Sequence, residues 1–541
     1  MDNGSEDADA TQPNASPLSG LESHWPDWMR LLPPLVAIVL AFLLREVVLA
    51  LTAGIWTALL LQHGLSLRGL LQSLGALVDT VLIDALTDAA HQSVILFSLL
   101  IGGMVGMLQA NGGLQGIVER LQPLARNARR SQLVTWLLGM IIFFDDYANT
   151  LIVGHTMRPL TDRYGVSRAR LAYIVDSTSA PLAAIAFVTT WVGAEVGYID
   201  QALQQTAFEV SAYGAFLQSL QYAYYPVFAL ALVGITIGMR RDWPAMRAAP
   251  AHRANKDTEA PASANIRPRM RHALAPILSL IVISAGGLIY TGVEAAPDTS
   301  ASDGGLLRLA DILGAADAYR ALLWGSLAAV LVAWIFSATS ARMRLSTISE
   351  AMLKGFRQMM DPLVILVLAW GLSAQTQILD TGGYLAGLFP DGVSPAWIPA
   401  LLFVLAGLVA FSTGSSWGTM ALMYPLFLNT SVDLALQAGW TSVEAQELFF
   451  QSASVILAGA VFGDHCSPIS DTTILSSLAA GCDHLEHVRT QLPYAMLCAV
   501  VALLCGTIPA AFFPSWWILG YGLGLMLLFA IVRYTAQRVD M

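Results

Sequence analysis

The sequence predicts an all-α polytopic membrane protein built from two inverted-topology repeats, each with a re-entrant hairpin and a broken helix, about 11–13 transmembrane segments in all. Hydrophobic residues make up 56% of the 541 and charged residues 12%, about half the charge density of a soluble chain. The charges gather in short blocks. Between them run uncharged, mostly apolar stretches of 14 to 19 residues, among them Leu31–Leu44, Val47–Leu61, Ala273–Thr291 and Ala321–Thr339, which suit membrane spans. The third observation is that equivalent loops of the two halves carry opposite charge.

Taken in chain order, residues 1–30 are polar and acidic, with no basic segment leading into an apolar core; this reads as a disordered tail rather than a cleaved signal peptide. Residues 31–239 form the first transmembrane repeat and 273–512 the second. Between them 240–272, with eight Lys or Arg among several Ala and Pro, reads as a cytoplasmic linker. An extra C-terminal helix occupies 513–541. The lipid bilayer is therefore the main partner and a multi-pass place in the cell (inner or plasma) membrane is expected. A formal net charge of −10 argues against nucleic acid. The cysteines, Cys466, Cys482, Cys498 and Cys505, show no CxxC or zinc spacing and read as small apolar filler. HxxxH and similar metal spacings are absent from the spans, so a membrane-embedded enzyme is disfavoured. His484 and His487 read as a solvated pair in a loop.

The repeat shows as three collinear matches. Val94-Ile95-Leu96 with Gly112-Gly113 recurs 270 residues on as Val364-Ile365-Leu366 with Gly382-Gly383; Phe144–Thr150 is answered by Phe411–Trp417, and Asp176–Pro181 by Asp464–Pro468. Loop 119–131 holds Arg120, Arg126, Arg129 and Arg130, whereas its counterpart 387–396 has only Asp391. Loop 158–170 holds Arg158, Arg163, Arg168 and Arg170, against Asp433, Glu444 and Glu447 in 429–447. Loop 64–92 is mostly acidic, and 340–360 brings Arg342, Arg344, Lys354 and Arg357. Because basic loops stay cytoplasmic, equivalent loops lie on opposite faces, the construction of many secondary transporters. Two Arg-rich loops flank an apolar stretch that must enter the membrane and turn back. The turn falls near Phe143–Asn149, and the counterpart turns near Ser412–Gly418 from the other side.

These turns and breaks hold the candidate chemistry. Fourteen uncharged residues from Ser131 to Phe144 carry Asp145 and Asp146 about 21 Å inward if helical, where adjacent carboxylates are costly and one is driven to hold a proton. In Gly463-Asp464-His465-Cys466-Ser467-Pro468-Ile469-Ser470-Asp471-Thr472-Thr473, Pro468 and Gly463 favour a broken helix, and the Asp, Ser and Thr oxygens suit a hard cation. His465 could equally serve proton exchange. Asp176, Ser177 and Thr178 repeat this chemistry with fewer charges. Ser412, Thr413, Ser415 and Ser416, with Trp417, offer hydroxyls and an indole at the second tip.

The stretches FFDDYANTLIVG, DSTSAPLAAIAF, STGSSWGTM and GDHCSPISDTTILSS resemble the signatures of NhaC-type sodium/proton antiporters, of the ion transporter superfamily. The resemblance runs over residues 31 to 512. It implies Na⁺/H⁺ exchange by alternating access, with Na⁺, possible Li⁺ and H⁺ as transported ions, no cofactor, and a homodimer. By motif match it makes Asp464, Ser467, Ser470, Asp471 and Thr472 the Na⁺ candidates, with Asp145, Asp146 and Asn149 on the ion or proton path beside Asp176, Ser177, Thr178, Ser412, Thr413, Ser415, Ser416 and His465. Relatives with such motifs include organic-acid exchangers of the malate and lactate type and amino-acid carriers. A Na⁺- or H⁺-coupled transporter of a small organic anion or amino acid is thus the alternative. The absence of Arg or Lys from the motifs disfavours a dianionic cargo.

Overall fold

The computed structural model describes residues 26–44, 46–250, 267–295, 312, 316–381, 384, 394–468 and 470–539. Apolar runs of this length become helices because a helix satisfies every backbone group internally, which lipid demands. Among the described residues nine helices are long and apolar enough to cross a membrane, and a tenth span is formed if Ala212–Tyr222 and Tyr224–Met239, bent by 50°, are taken together. Shorter arms and half-helices supply the remaining segments. Leu32–Leu44 and Val47–His63 pack side by side; Arg45, between them, lies outside the described residues.

Several stretches expected as loops are helical. Leu67–Thr87, inside the expected acidic loop 64–92, is a helix apolar enough to span. Ser66 caps it by accepting from the Gly69 N–H at 3.0 Å, and Asp79 and Asp84 stay exposed on its outer side. The expected loops 158–170 and 429–447 shrink to turns at 164–167 and 438–441. His484 and His487 open the helix His484–Val501. Of the expected linker, 251–266 lies outside the described residues, as does 385–393, which includes Asp391 of the expected loop 387–396.

Each half contains a hairpin followed by a broken helix. Hairpin 1 joins Ala128–Ile141 to Asp146–Arg163 through Ile142–Asp145. Asn127 starts it, accepting from the Arg130 N–H at 2.8 Å. The first broken helix has a long half, Arg168–Ala183, and a short half, Val192–Leu203. Thr189 Oγ1 caps the short half, accepting from Trp191 N at 3.1 Å and Val192 N at 3.3 Å. Hairpin 2 joins Ile398–Thr413 to Ser416–Gln437. Its two-residue turn requires Gly414 at φ +67°, where a side chain would be strained. The second broken helix comprises Ser442–Cys466 and Asp471–Ala480, the latter capped by Ser470.

Packing relates the two sets. Each long half lies on its own hairpin, and each short half reaches across: Asp471–Ala480 packs on the second arm of hairpin 1, Val192–Leu203 on the second arm of hairpin 2. The Phe144 and Phe411 carbonyls, paired by the sequence repeat, do matching work. Phe144 O accepts from Thr190 N at 3.0 Å and Phe411 O from Ser467 Oγ at 2.7 Å, so each ties a hairpin to the break in its own repeat.

Hairpin 2 sits against its long half at backbone distance. A Cβ added at Gly463 would lie 2.2 Å from the Gly407 carbonyl oxygen, and one at Gly459 2.5 Å from that of Phe403, the small-residue contact that membrane helices use. Gly463→Val is therefore expected to lower the melting temperature of purified protein, overpacking at about 1–3 kcal/mol. Gly238→Ala, where nothing lies within 4 Å, is expected to leave it unchanged. Equal melting temperatures for the two variants would refute the close-contact reading.

The Arg-rich end is tied by a buried ion pair. Arg170, 2% exposed, donates to Asp242 Oδ1 at 2.6 Å, Thr236 Oγ1 at 2.7 Å and Gln132 Oε1 at 3.0 Å; Tyr494 donates to the same Asp242 oxygen at 2.8 Å. One guanidinium thus joins hairpin 1, the first broken helix, Tyr224–Met239 and His484–Val501. Arg241–Asp242 also pairs antiparallel with Gln537–Arg538.

Candidate functional site

The two broken helices meet at Thr473, in the first turn after the second break. Its Oγ1 lies 3.3 Å from Asp176 Oδ2 and 3.3 Å from the Asp464 carbonyl oxygen. Asp176 and Asp464 are both fully buried and come from opposite repeats. A backbone that stops being helical at Ser467–Ser470 allows this: the chain turns, and the hydroxyls beyond the break fold back toward the carboxylate before it.

Around Asp464 the ligands are oxygen. Thr472 Oγ1 donates to Asp464 Oδ2 at 2.8 Å and lies 3.1 Å from Ser470 Oγ. Ser467 Oγ is committed to the Phe411 carbonyl. Asp471 begins the short half, but its side chain lies outside the described residues, as does Ile469. One carboxylate with hydroxyls and break-exposed backbone is chemistry for a hard cation. Among the described residues no three His, Cys, Asp or Glu converge as they would around a bound transition metal.

Around Asp176 the partners other than Thr473 are nitrogen. Its Oδ2 accepts from Gln491 Nε2 at 2.5 Å and is 3.3 Å from His487 Nε2. Gln491 also donates to the His465 carbonyl at 2.9 Å. His465 Nδ1 is 2.9 Å from the Tyr225 hydroxyl and its Nε2 3.3 Å from the Asp176 carbonyl. A cavity of about 10 Å³ beside Ser177, Tyr225, His465 and Gln491 has room for a single water. His487, fully buried, corrects the expectation of a solvated loop pair; its partner His484 is also engaged, 2.5 Å from the Pro468 carbonyl and 3.2 Å from Ser477 Oγ.

The other candidates divide. Asp145 closes the hairpin 1 turn and Asp146 opens its second arm, exposed by 3% and 2%, where a carboxylate favours the helix N-terminus. Asn149 acts as a tie: its Nδ2 lies 2.8 Å from the Gly139 and Thr178 carbonyls and 3.0 Å from that of Ile142. Thr178 bonds back to Ile174 O at 2.8 Å. Ser412 and Thr413 turn onto Leu408 O and Val409 O of their own helix at 2.9 Å. Ser415 caps the following arm, accepting from Gly418 N at 3.1 Å, and Ser416 reaches Ala460 O at 3.3 Å. The hydroxyls of the second tip therefore serve the fold, and the polar centre lies between the broken helices.

Thr473, His487, Gln491 and Arg170 were not among the sequence candidates. The spacing His487, Gln491, Tyr494 places three polar groups on one helix face and could have disclosed a polar face directed inward, from which His487 and Gln491 meet Asp176.

The profile of the Na⁺/H⁺ antiporter family matches residues 182–508, which contain hairpin 2, the second broken helix and the short half of the first. An uncharacterized protein of Haemophilus influenzae is 32% identical over 86% of this chain and 87% of its own. The Na⁺/H⁺ antiporter NhaC of Alkalihalophilus pseudofirmus is 25% identical over 33% of this chain and 37% of its own. Among solved structures, the Alcanivorax borkumensis YdaH transporter covers 93% of this chain and 98% of its own with a TM-score of 0.52 at 16% identity, a likeness of fold.

Proposed function

The chain belongs to the Na⁺/H⁺ antiporter family, in its NhaC type, and on that premise we propose that it exchanges Na⁺ for H⁺ across the cell membrane by alternating access. The observation that carries this reading is the junction at Thr473, where the Asp464 oxygen cluster and the Asp176 nitrogen network share one hydroxyl. Na⁺ and H⁺ compete for Asp464: the ion takes its carboxylate with the Thr472 and Ser470 hydroxyls, and the proton neutralises the same carboxylate when the ion leaves. Asp471, Ser467, Asp145 and Asp146 complete the ion path. Movement of the hairpins and broken helices against the rest would expose the junction to each side in turn. The protein works as a homodimer with its 240–272 linker in the cytoplasm.

For the organic-anion alternative, buried Arg170 is held by Asp242 at 2.6 Å and so is not free to receive a carboxylate, which leaves only helix N-termini and hydroxyls for that role. In inside-out vesicles carrying the protein, added Na⁺ or Li⁺ is expected to collapse a preformed ΔpH without any organic solute. A response that appears only with malate, lactate or an amino acid would overturn Na⁺/H⁺ exchange in favour of the coupled carrier.

A further inference from the structure

The seam between the short half Val192–Leu203 and the hairpin 2 arm Ser416–Gln437 holds a carboxylate that this exchange does not use. Glu195 is 1% exposed, and its Oε1 has no hydrogen-bond partner. Residues three and four apart share a helix face, which sets Trp191 and Tyr198 beside it. The facing arm presents Trp417 and Tyr424, two turns apart. Ring centroids are 5.8 Å apart for Trp191 with Trp417 and 5.5 Å for Tyr198 with Tyr424, and Glu195 is within electrostatic reach of Tyr424. The Trp191 and Trp417 indole N–H groups and the Tyr198 hydroxyl are buried and also lack partners.

Two other deeply buried charged groups are matched within the fold: Arg170 has Asp242, and Asp176 has Gln491 and His487. A carboxylate without such a match is too costly to keep ionised, so Glu195 stays neutral unless a cation from outside the fold meets it. The walls say which kind. Four aromatic rings beside the carboxylate suit a weakly hydrated organic cation with an apolar body, whereas the Asp464 cluster offers the oxygen ligands of a hard ion. The row occupies the first two turns after the break, and Thr190 next to Trp191 is bonded to the tip of hairpin 1. It thus lies where the two hairpins approach.

We infer that Glu195, Trp191, Tyr198, Trp417 and Tyr424 form a second cation site, for a small organic ammonium ion whose charge meets the carboxylate and whose body lies along the rings. This goes beyond Na⁺/H⁺ exchange and stands apart from it, since different helical segments carry Asp464.

The test is thermal unfolding of the purified full-length chain with Na⁺, Li⁺, ethylammonium, phenethylammonium and, as a neutral control, 2-phenylethanol. Phenethylammonium is expected to raise the melting temperature saturably, ethylammonium more weakly, and 2-phenylethanol not at all. Glu195→Gln is expected to weaken the apparent ammonium affinity at least tenfold and Trp191→Phe severalfold. Asp464→Asn is expected to lose any Na⁺ response and keep the ammonium one, which separates failure of this inference from failure of the exchange reading. An undiminished ammonium response in Glu195→Gln, a Glu195-dependent response to Na⁺ or Li⁺ alone, or no ammonium response would each overturn the inference. Should Glu195→Gln fail to fold, Trp191→Phe and Tyr198→Phe decide: ammonium affinity equal to wild type in both would overturn it.

Discussion

Asp464→Asn is expected to reduce Na⁺-driven ΔpH collapse in inside-out vesicles by two to three orders of magnitude. The amide matches the carboxylate in shape and its oxygen still accepts from Thr472 Oγ1, 2.8 Å from the native Oδ2, so the fold is retained. What goes is the one negative charge that both ions require. Stranding a buried cation without its partner costs about 3–5 kcal/mol, and each 1.4 kcal/mol is roughly a factor of ten. A variant with the wild-type rate and the same half-saturating Na⁺ concentration would remove Asp464 from the ion site.

Asp176→Ala is expected to damage stability as well as transport. The side chain receives Gln491 at 2.5 Å, with His487 and Thr473 at 3.3 Å, and its loss removes the acceptor that joins them, leaving each with its second contact, to the His465 carbonyl, Ser476 and the Asp464 carbonyl. Each hydrogen bond lost to a carboxylate costs about 1.5–3 kcal/mol. Because these partners belong to the other repeat, the loss loosens the junction between repeats rather than one helix. Asp176→Asn keeps an acceptor oxygen and is expected to recover part of the lost melting temperature but little transport. If Asp176→Ala melts and transports like wild type, the nitrogen network is incidental to both.

The architecture was legible in the sequence wherever charge and hydropathy acted together. Arg-rich segments on both sides of 131–157 required a chain that enters and returns, and Ile142–Asp145 is such a turn. Gly463 and Pro468 marked the second broken helix, which stops at Cys466. Sequence reading failed where a charge stood for exposure. Arg170 counted as one more topological marker, yet its guanidinium is buried in a network of three hydrogen bonds. Asp79 and Asp84 made 64–92 look like a loop, although two outward carboxylates do not interrupt a leucine-rich helix. His487 sits among Asp483, Glu486 and Arg489, a charged neighbourhood in chain order; the helix turns it inward while Asp483 and Arg489 stay exposed and Glu486 is half-buried. The partners of Asp176 lie some 300 residues away, and no local pattern encodes that distance.

The exchange of short half-helices between repeats bears on how the protein is made. Asp471–Ala480 completes the interior of the first repeat and Val192–Leu203 that of the second, so neither repeat has a finished interior by itself. A ribosome that has passed the linker has inserted hairpin 1 while the surface it will bury against Asp471–Ala480 still faces lipid. Assembly is thus withheld until the second broken helix arrives, and an isolated first repeat would present membrane quality control with an open polar seam. Co-expressed as two chains split in the linker, the halves should find each other; expressed singly, each should be degraded.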